Sequence, residues 1–135
     1  MSHKVHPKVF RIKETTDWNS RGFYKKPATE LEEDFRIRSF LKKKIGKLGV
    51  EKIEIERFTG KINVIINSVR PGLIIGRGGG GVEELKKELE KEVFGKTMAA
   101  STKATKPELK IEIREVKDPW ASAELTAQYI SQQIV

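Results

Sequence analysis

The sequence predicts an α+β fold in which one three-stranded sheet is covered by helices on one face. Three stretches alternate between apolar and polar residues, as half-buried strands do, and segments with helical spacing lie before, between and after them. A chain of 135 residues suits one domain with appendages. We therefore expect an arm at residues 1–28, a domain at residues 29–118, and a last helix at residues 119–135.

The arm has neither the strand period nor the helix period, and prolines and a glycine interrupt it, so we expect it to be extended. It is strongly basic, with seven Lys and Arg against two acidic residues. Its aromatic residues include Trp18, Phe23 and Tyr24. These side chains either anchor the arm to the domain or stack on nucleic-acid bases, and both interpretations stay open.

A capping box formed by Thr29 and Glu32 predicts the start of the first helix, which runs to Gly49. Its apolar positions are Leu31, Phe35, Ile37, Leu41, Ile45 and Leu48. Acidic residues come before basic ones along this helix, which complements the helix dipole. The run of lysines from Lys42 to Lys44 fits either a solvated helix face or a binding surface, and the solvated face is the simpler interpretation.

The predicted strands are defined by alternating apolar residues, with a turn at Gly60 that joins the first two as a hairpin. The apolar positions are Ile53 and Ile55 in the first strand, Ile62, Val64 and Ile66 in the second, and Leu109, Ile111 and Ile113 in the third. Pro71 and Gly72 end the second strand, and we expect a single helical turn at Leu73-Ile74-Ile75.

Two further helices are predicted from apolar residues at three- and four-residue steps. The first contains Val82, Leu85, Leu89 and Val93, ends at Gly95, and precedes a polar loop over residues 96–107. Asp118-Pro119 predicts the start of the second. Its apolar stripe consists of Trp120, Ala123, Ala127, Ile130 and Ile134. We place Trp120 in the core.

Composition excludes several classes of protein. With 27 Lys and Arg against 19 Asp and Glu, the formal net charge is +8, and a polyanion is the natural partner. The absence of Cys removes disulfides, thiolate metal sites and a cysteine nucleophile. The apolar runs are far shorter than the ~20 residues that span a bilayer, so we expect a cytoplasmic protein.

Catalysis and metal binding have little support in the sequence. Both histidines, His3 and His6, lie on the arm with no third ligand beside them, so we expect no metal site. Glu83 and Glu84 are better explained as charges in the first turn of a helix than as an acid–base pair. We expect neither an enzyme nor a cofactor.

Five of the six residues at positions 76–81 are glycine, and this cluster has three possible functions or structural roles. Gly76, Gly78 and Gly81 satisfy the dinucleotide-binding spacing, but no strand stands directly before them and no acidic residue follows at the required distance. A tight turn between two helices is the structural interpretation. It explains this many glycines poorly, because each one near a helix start costs about 0.5–1 kcal/mol relative to Ala.

The third interpretation is a clamp for nucleic acid. Residues 76–79 form a GxxG loop between a short helix and an amphipathic helix. Without Cβ atoms the main chain can approach a sugar-phosphate strand, and amides at a helix start point toward phosphate oxygens. Arg77 adds positive charge. We favour this interpretation, with the bases over an apolar groove whose floor includes Ile75 and Val64.

The chain resembles a type II KH domain and, more closely, the N-terminal half of the bacterial-type small-subunit ribosomal protein three family. The resemblance covers nearly all of the chain. It is carried by Lys4-Val5-His6-Pro7 with Arg11, Trp18-Asn19-Ser20, Asp34-Phe35-Arg36-Ile37-Arg38, residues 53–57, Arg70-Pro71-Gly72-Leu73-Ile74-Ile75-Gly76, Val82-Glu83-Glu84-Leu85 and Glu115-Val116-Lys117.

The resemblance implies a structural protein of the small-subunit head. Such a protein binds small-subunit ribosomal RNA, contacts messenger RNA where it enters the subunit, and neighbours ribosomal proteins ten and fourteen. The residues expected to contact RNA are Lys4, His6, Lys8, Arg11, Trp18, Asn19, Arg70, Gly76, Arg77, Gly78 and Gly79. A free-standing KH-type regulator or assembly factor is the alternative.

Two departures from the family pattern matter. The second variable position of the loop is often basic in the family but is Gly78 here, which removes one expected phosphate contact. The family also continues into a second domain whose basic residues are credited with unwinding messenger RNA, and the resemblance implies that the last helix at residues 119–135 begins this domain. Those basic residues have no counterpart in this sequence, so unwinding is not carried over to it.

Overall fold

The structure is a computed structural model that describes residues 4–12, 17–97 and 107–134. Its elements in chain order are α1 (Pro7–Arg11), β1 (Ser20–Gly22), α2 (Pro27–Ile45), β2 (Val50–Phe58), β3 (Lys61–Ser68), α3 (Pro71–Ile75), α4 (Gly80–Thr97), β4 (Glu108–Glu115) and α5 (Ala123–Gln133). His3 and residues 98–106 of the predicted polar loop lie outside the described residues.

The sheet has four strands in the order β1-β2-β3-β4, so the prediction of three strands was wrong by one. The predicted hairpin is confirmed, with Ile55 opposite Val64 in the antiparallel β2–β3 pair. β4 runs parallel to β3, with α3 and α4 forming the crossover between them. The additional strand β1 comes from the arm and pairs parallel with β2, placing Ser20 opposite Ile55.

The core lies between the sheet and the helices α2 and α4, which confirms the α+β prediction. The helices contribute Ile37, Leu41, Ile45, Leu85, Leu89 and Val93, and the sheet contributes Ile53, Ile55, Ile62, Val64, Ile66 and Leu109. The side chains that alternate with these along β2 and β3 lie on the opposite face, which is mostly polar. That face includes Glu54, Glu56 and Asn63.

The start of α2 differs from the predicted capping box. The helix begins at Pro27, whose fixed φ suits the first helical position, and Thr29 lies inside the first turn. The Thr29 hydroxyl donates to the Lys26 carbonyl oxygen at 3.0 Å, and the Glu30 carboxylate accepts from the Lys26 amide at 3.3 Å. Both side-chain hydrogen bonds at the start of the helix are therefore made to the main chain of Lys26. Glu30 accepts the bond from the main-chain amide that was predicted for Glu32.

The two later helices also differ in detail from the prediction. α4 passes through Gly95 and ends at Thr97, so the helix is two residues longer than predicted. The prediction that Trp120 is buried was wrong, since this side chain is 72% exposed and stands edge-on to Tyr129. It precedes α5, whose buried residue is Leu125, and the stripe of α5 otherwise faces outward. None of the described helices is both long and apolar enough to span a membrane.

Candidate nucleic-acid interface

The glycine loop is a sharp left-handed bend between α3 and α4. Gly76 ends α3 with φ +70° and ψ −177°, and Gly78 and Gly79 follow with φ of +64° and +82°. L side chains rarely adopt these conformations, and least of all that of Gly76. Glycine at these three positions is thus explained by the path of the main chain.

The last two glycines of the cluster differ from each other. A Cβ at Gly81 would lie 2.6 Å from the carbonyl oxygen of Ile74 and 2.9 Å from that of Ile75, so Gly81 lets α4 pack against α3. Gly80 has helical φ and ψ, and a Cβ there would meet nothing within 4 Å. The fold therefore requires Gly81 but does not require Gly80.

The bend is open to solvent. Gly76, Arg77 and Gly78 are exposed, and a Cβ on Gly78 or Gly79 would meet no other atom within 4 Å. The Gly80 amide donates to the Arg77 carbonyl oxygen, whereas the amides that follow it in the first turn of α4 have no helical acceptor. No ion pair of Arg77 is described. Main-chain donors, a helix dipole and one cation are thus available together at an unobstructed surface.

The predicted groove floor needs one correction. Val64 has no exposed surface and packs in the core, so it cannot contact a base. Ile75, at the end of α3, is 39% exposed and remains available. Ile111 and Ile113 on β4 are half-buried and lie on the same face of the sheet as Val64, because Val64 pairs with Ile111.

The arm is attached through a buried charged cluster that the sequence analysis did not predict. Asp34 of α2 and Arg57 of β2 have side chains only 2% and 8% exposed, and Arg57 Nε donates to Asp34 Oδ1 at 2.7 Å. The guanidinium also donates to the Glu33 carboxylate and to the Glu30 carbonyl oxygen, each at 3.0 Å. All four residues belong to one network in which buried charges are paired.

Residues of the arm complete this network. The Tyr24 hydroxyl donates to Asp34 Oδ2 at 3.0 Å and the Ser20 hydroxyl donates to the same oxygen at 3.3 Å. Burial raises the pKa of Tyr24 above its ordinary value of 10.0, and the hydrogen bond to Asp34 raises it further. Of the three aromatic residues considered above, Tyr24 is therefore an anchor, whereas Trp18 and Phe23 are 55% and 81% exposed.

A second set of bonds fixes the chain just before β1. The Asn19 carbonyl oxygen accepts from the Ile55 amide and from the Arg38 guanidinium, both at 2.8 Å. Arg38 also donates to the Ser20 hydroxyl at 2.6 Å. Gly22 is required here, because a Cβ would lie 2.6 Å from the Arg57 Cβ. The main chain beside Trp18 is thus held against β2 and α2.

The predicted RNA-contacting residues fall on separate elements. Lys4 and His6 precede α1, which contains Lys8 and the exposed Arg11, so this part of the arm is helical and not extended. Trp18 and Asn19 adjoin β1 at one edge of the sheet. The remaining residues flank α3: Arg70, exposed, precedes it, and Gly76, Arg77, Gly78 and Gly79 follow it. Within the described ranges, no group of three metal-ligating side chains occurs.

Comparison with known proteins identifies the family to which this fold belongs. The KH domain profile matches residues 36–121, which include α3, the glycine loop, α4 and β4. The chain belongs to the KH domain family, and the predicted KH fold is confirmed.

Its similarity to full-length proteins is more specific. Over 136 residues the chain is 43% identical to "Small ribosomal subunit protein uS3" of Caldicellulosiruptor saccharolyticus, a match that covers 99% of this chain and 56% of that protein. Proteins of the same name from Lawsonia intracellularis and Maridesulfovibrio salexigens are 40% and 43% identical, each 58% covered. The predicted resemblance to the ribosomal protein three family is confirmed, and the chain spans about half the length of these relatives.

Proposed function

We propose that this chain is a non-catalytic RNA-binding constituent of the small ribosomal subunit. The relatives carry the name of a small-subunit ribosomal protein, the chain contains a KH domain, and its net charge is +8. The observation that carries the proposal is the exposed glycine bend directly before α4. Ribosomal RNA is the proposed ligand, and the site of action is the ribosome in the cytoplasm.

In this proposal the loop grips a sugar-phosphate strand. The amides that follow Gly80 in the first turn of α4 donate to phosphate oxygens, and Arg77 supplies a further phosphate contact. Because Gly80 and Gly78 have open space where a Cβ would stand, the strand can approach the main chain closely. Ile75, with Ile111 and Ile113 in place of the buried Val64, offers the apolar surface for the bases.

The finer assignments follow the resemblance. We propose that the arm residues Lys4, His6, Lys8 and Arg11 contact ribosomal RNA, and that Trp18 and Asn19 do so beside the sheet edge, with Arg70 near the loop. Messenger RNA where it enters the subunit is a second proposed ligand. Ribosomal proteins ten and fourteen are proposed neighbours. The division into arm, KH domain and a last helix that begins a second domain belongs to the same proposal.

The loop is tested with a double variant, Arg77→Asp with Gly78→Asp. Gly78 is close to the left-handed helical conformation, which Asp tolerates better than most residues, whereas Gly76 has a conformation that strains any side chain. The matched control is Lys87→Glu with Lys91→Gln, which changes the net charge equally on an exposed face of α4.

We expect the loop variant to bind a fluorescein-labelled single-stranded RNA of about 12 nucleotides, a length within the range covered by single-strand binding folds, at least tenfold more weakly. The control variant should bind within about threefold of the unmodified chain, because it loses only diffuse charge. Equal losses in both variants would show that net charge, and not the loop, binds the RNA.

The ribosomal setting is tested by sedimentation. The chain should cosediment with small ribosomal subunits through a high-salt wash, because an assembled constituent is held by many contacts. Loss of the chain in the wash, with binding to short RNA retained, would favour the free-standing KH regulator or assembly factor.

A further inference from the structure

A second basic surface lies between α2 and α4, away from the glycine loop. It is a groove of about 620 Å³ whose lining includes Phe35, Arg36, Phe40, Lys43 and Lys44 of α2 and Glu92 of α4. An α-helix rises about 1.5 Å per residue, so Glu92 lies about 18 Å along α4 from Gly80. The groove is therefore a separate surface from the loop.

The charge of this groove is predominantly positive. Three cations line it against one carboxylate, that of Glu92, and one of these cations, Arg36, is paired with Glu32 on the same helix. Lys44 is paired with Glu88 of α4, which ties the two helices together on this side. Lys43 is exposed, and no ion pair is described for it. Lys43 is therefore the lining cation that is available to an anionic ligand.

The aromatic residues of the groove distinguish it from an ordinary solvated helix face. Phe35 is 70% exposed, so it contributes little to the core although it lies on a packed helix. Phe40 packs against the core in part, and the Lys44 ammonium lies 6.0 Å from the centre of its ring. Exposed aromatic rings interleaved with cations are the combination by which proteins bind single-stranded nucleic acid.

We propose that this groove is a second contact site for single-stranded RNA, at which a base stacks on Phe35 while Lys43 binds a flanking phosphate. The proposal rests on the proposed function, because it assumes that the chain binds RNA. A protein partner is the weaker alternative, since the cores of protein interfaces are depleted of charge, whereas here cations surround the exposed ring. A strand held by the loop must extend along α4 to reach the groove.

The length of the RNA separates the two sites. A KH loop holds about four nucleotides, so an RNA of that length occupies the loop alone, whereas one of about 16 nucleotides can reach both sites. The groove variant is Phe35→Ala with Lys43→Gln. The matched control is Phe58→Ala with Lys87→Gln, which also removes one exposed phenylalanine and one exposed lysine, at positions outside the groove lining.

We expect the groove variant to bind the longer RNA about tenfold more weakly than the control does, and to bind the shorter RNA equally well. Unfolding in urea should match that of the control, because both changed side chains are exposed. Unchanged affinity for the longer RNA would overturn the proposal. If the loop variant still weakened binding of both RNAs in that case, the proposed function would stand without the groove.

If the groove binds a protein partner and not RNA, the same variants give a different result. If the groove variant bound both RNAs normally but failed to join small ribosomal subunits, the groove would be a protein interface and the RNA proposal would be wrong. Failure of the unmodified chain to bind either RNA would instead remove the proposed function itself.

Discussion

The site where the arm attaches to the domain and the glycine loop are both rich in polar groups, but they use these groups in opposite ways. At the attachment, the buried charges of Asp34 and Arg57 find their partners within the chain, including Tyr24 and Ser20. At the loop, the amides that follow Gly80 in the first turn of α4 have no helical acceptor, and Arg77 is exposed. The difference separates a structural cluster from a binding surface, because polar groups satisfied within the fold stabilise it while open ones remain available to a ligand.

The largest expected effect comes from breaking the buried cluster. Asp34→Ala leaves the Arg57 guanidinium buried without its main partner, and such a change typically costs about 3–5 kcal/mol of unfolding free energy. Urea unfolding followed by circular dichroism measures it. The control is Glu32→Ala, also on α2, which removes an exposed pair with Arg36 worth about 0.3–0.5 kcal/mol. Similar losses in the two variants would mean that the cluster does not hold the arm.

The second prediction concerns two neighbouring glycines after the bend, Gly80 and Gly81. Gly81→Ala forces a Cβ against the carbonyl oxygens of Ile74 and Ile75, and we expect a loss of about 1–3 kcal/mol, as for other overpacked sites. Gly80→Ala has open space and helical φ, so it should stabilise the fold by about 0.4–1 kcal/mol. Thermal unfolding of both variants tests the prediction, and equal effects would contradict the assignment of Gly81 to packing.

The smallest effect concerns Tyr24 and pH. Tyr24→Phe removes the hydrogen bond to Asp34 and should cost about 1 kcal/mol at neutral pH. Because the pKa of Tyr24 is raised in the fold, its stabilisation is present below pH 10 and is lost as the pH rises above 10. The difference in unfolding free energy between the variant and the unmodified chain should therefore shrink in that range. A difference that grows with pH would have the wrong sign.

The sequence predicts the parts of the fold that depend on the regular spacing of apolar residues within one segment. The hairpin and the buried stripe of Ile37, Leu41 and Ile45 follow from apolar spacing alone. β1 was missed because Ser20-Arg21-Gly22 has no apolar alternation, and its pairing is made by hydrogen bonds to distant residues. Trp120 was misplaced because an apolar stripe does not reveal whether another element covers it.

The candidate site likewise has one part that the sequence predicts and one part that it does not. The glycine bend could be found from spacing, since Gly76 and Gly79 must lie between two helices for a GxxG loop. The buried Asp34–Arg57 pair could not, because its members are far apart in sequence. One signal was present: Asp34 stands three residues before Ile37 on the buried stripe of α2, where a charged residue demands a buried partner.

The most direct test of the loop is a titration of the ¹⁵N-labelled chain with a single-stranded RNA of about four nucleotides, followed by amide chemical shifts. We expect the largest shifts at the amides of Arg77, Gly78, Gly79, Gly80 and Gly81, and very small shifts at the amides of β1. Saturable shifts confined to the arm or to the polar face of the sheet, with the loop amides unchanged, would contradict this expectation.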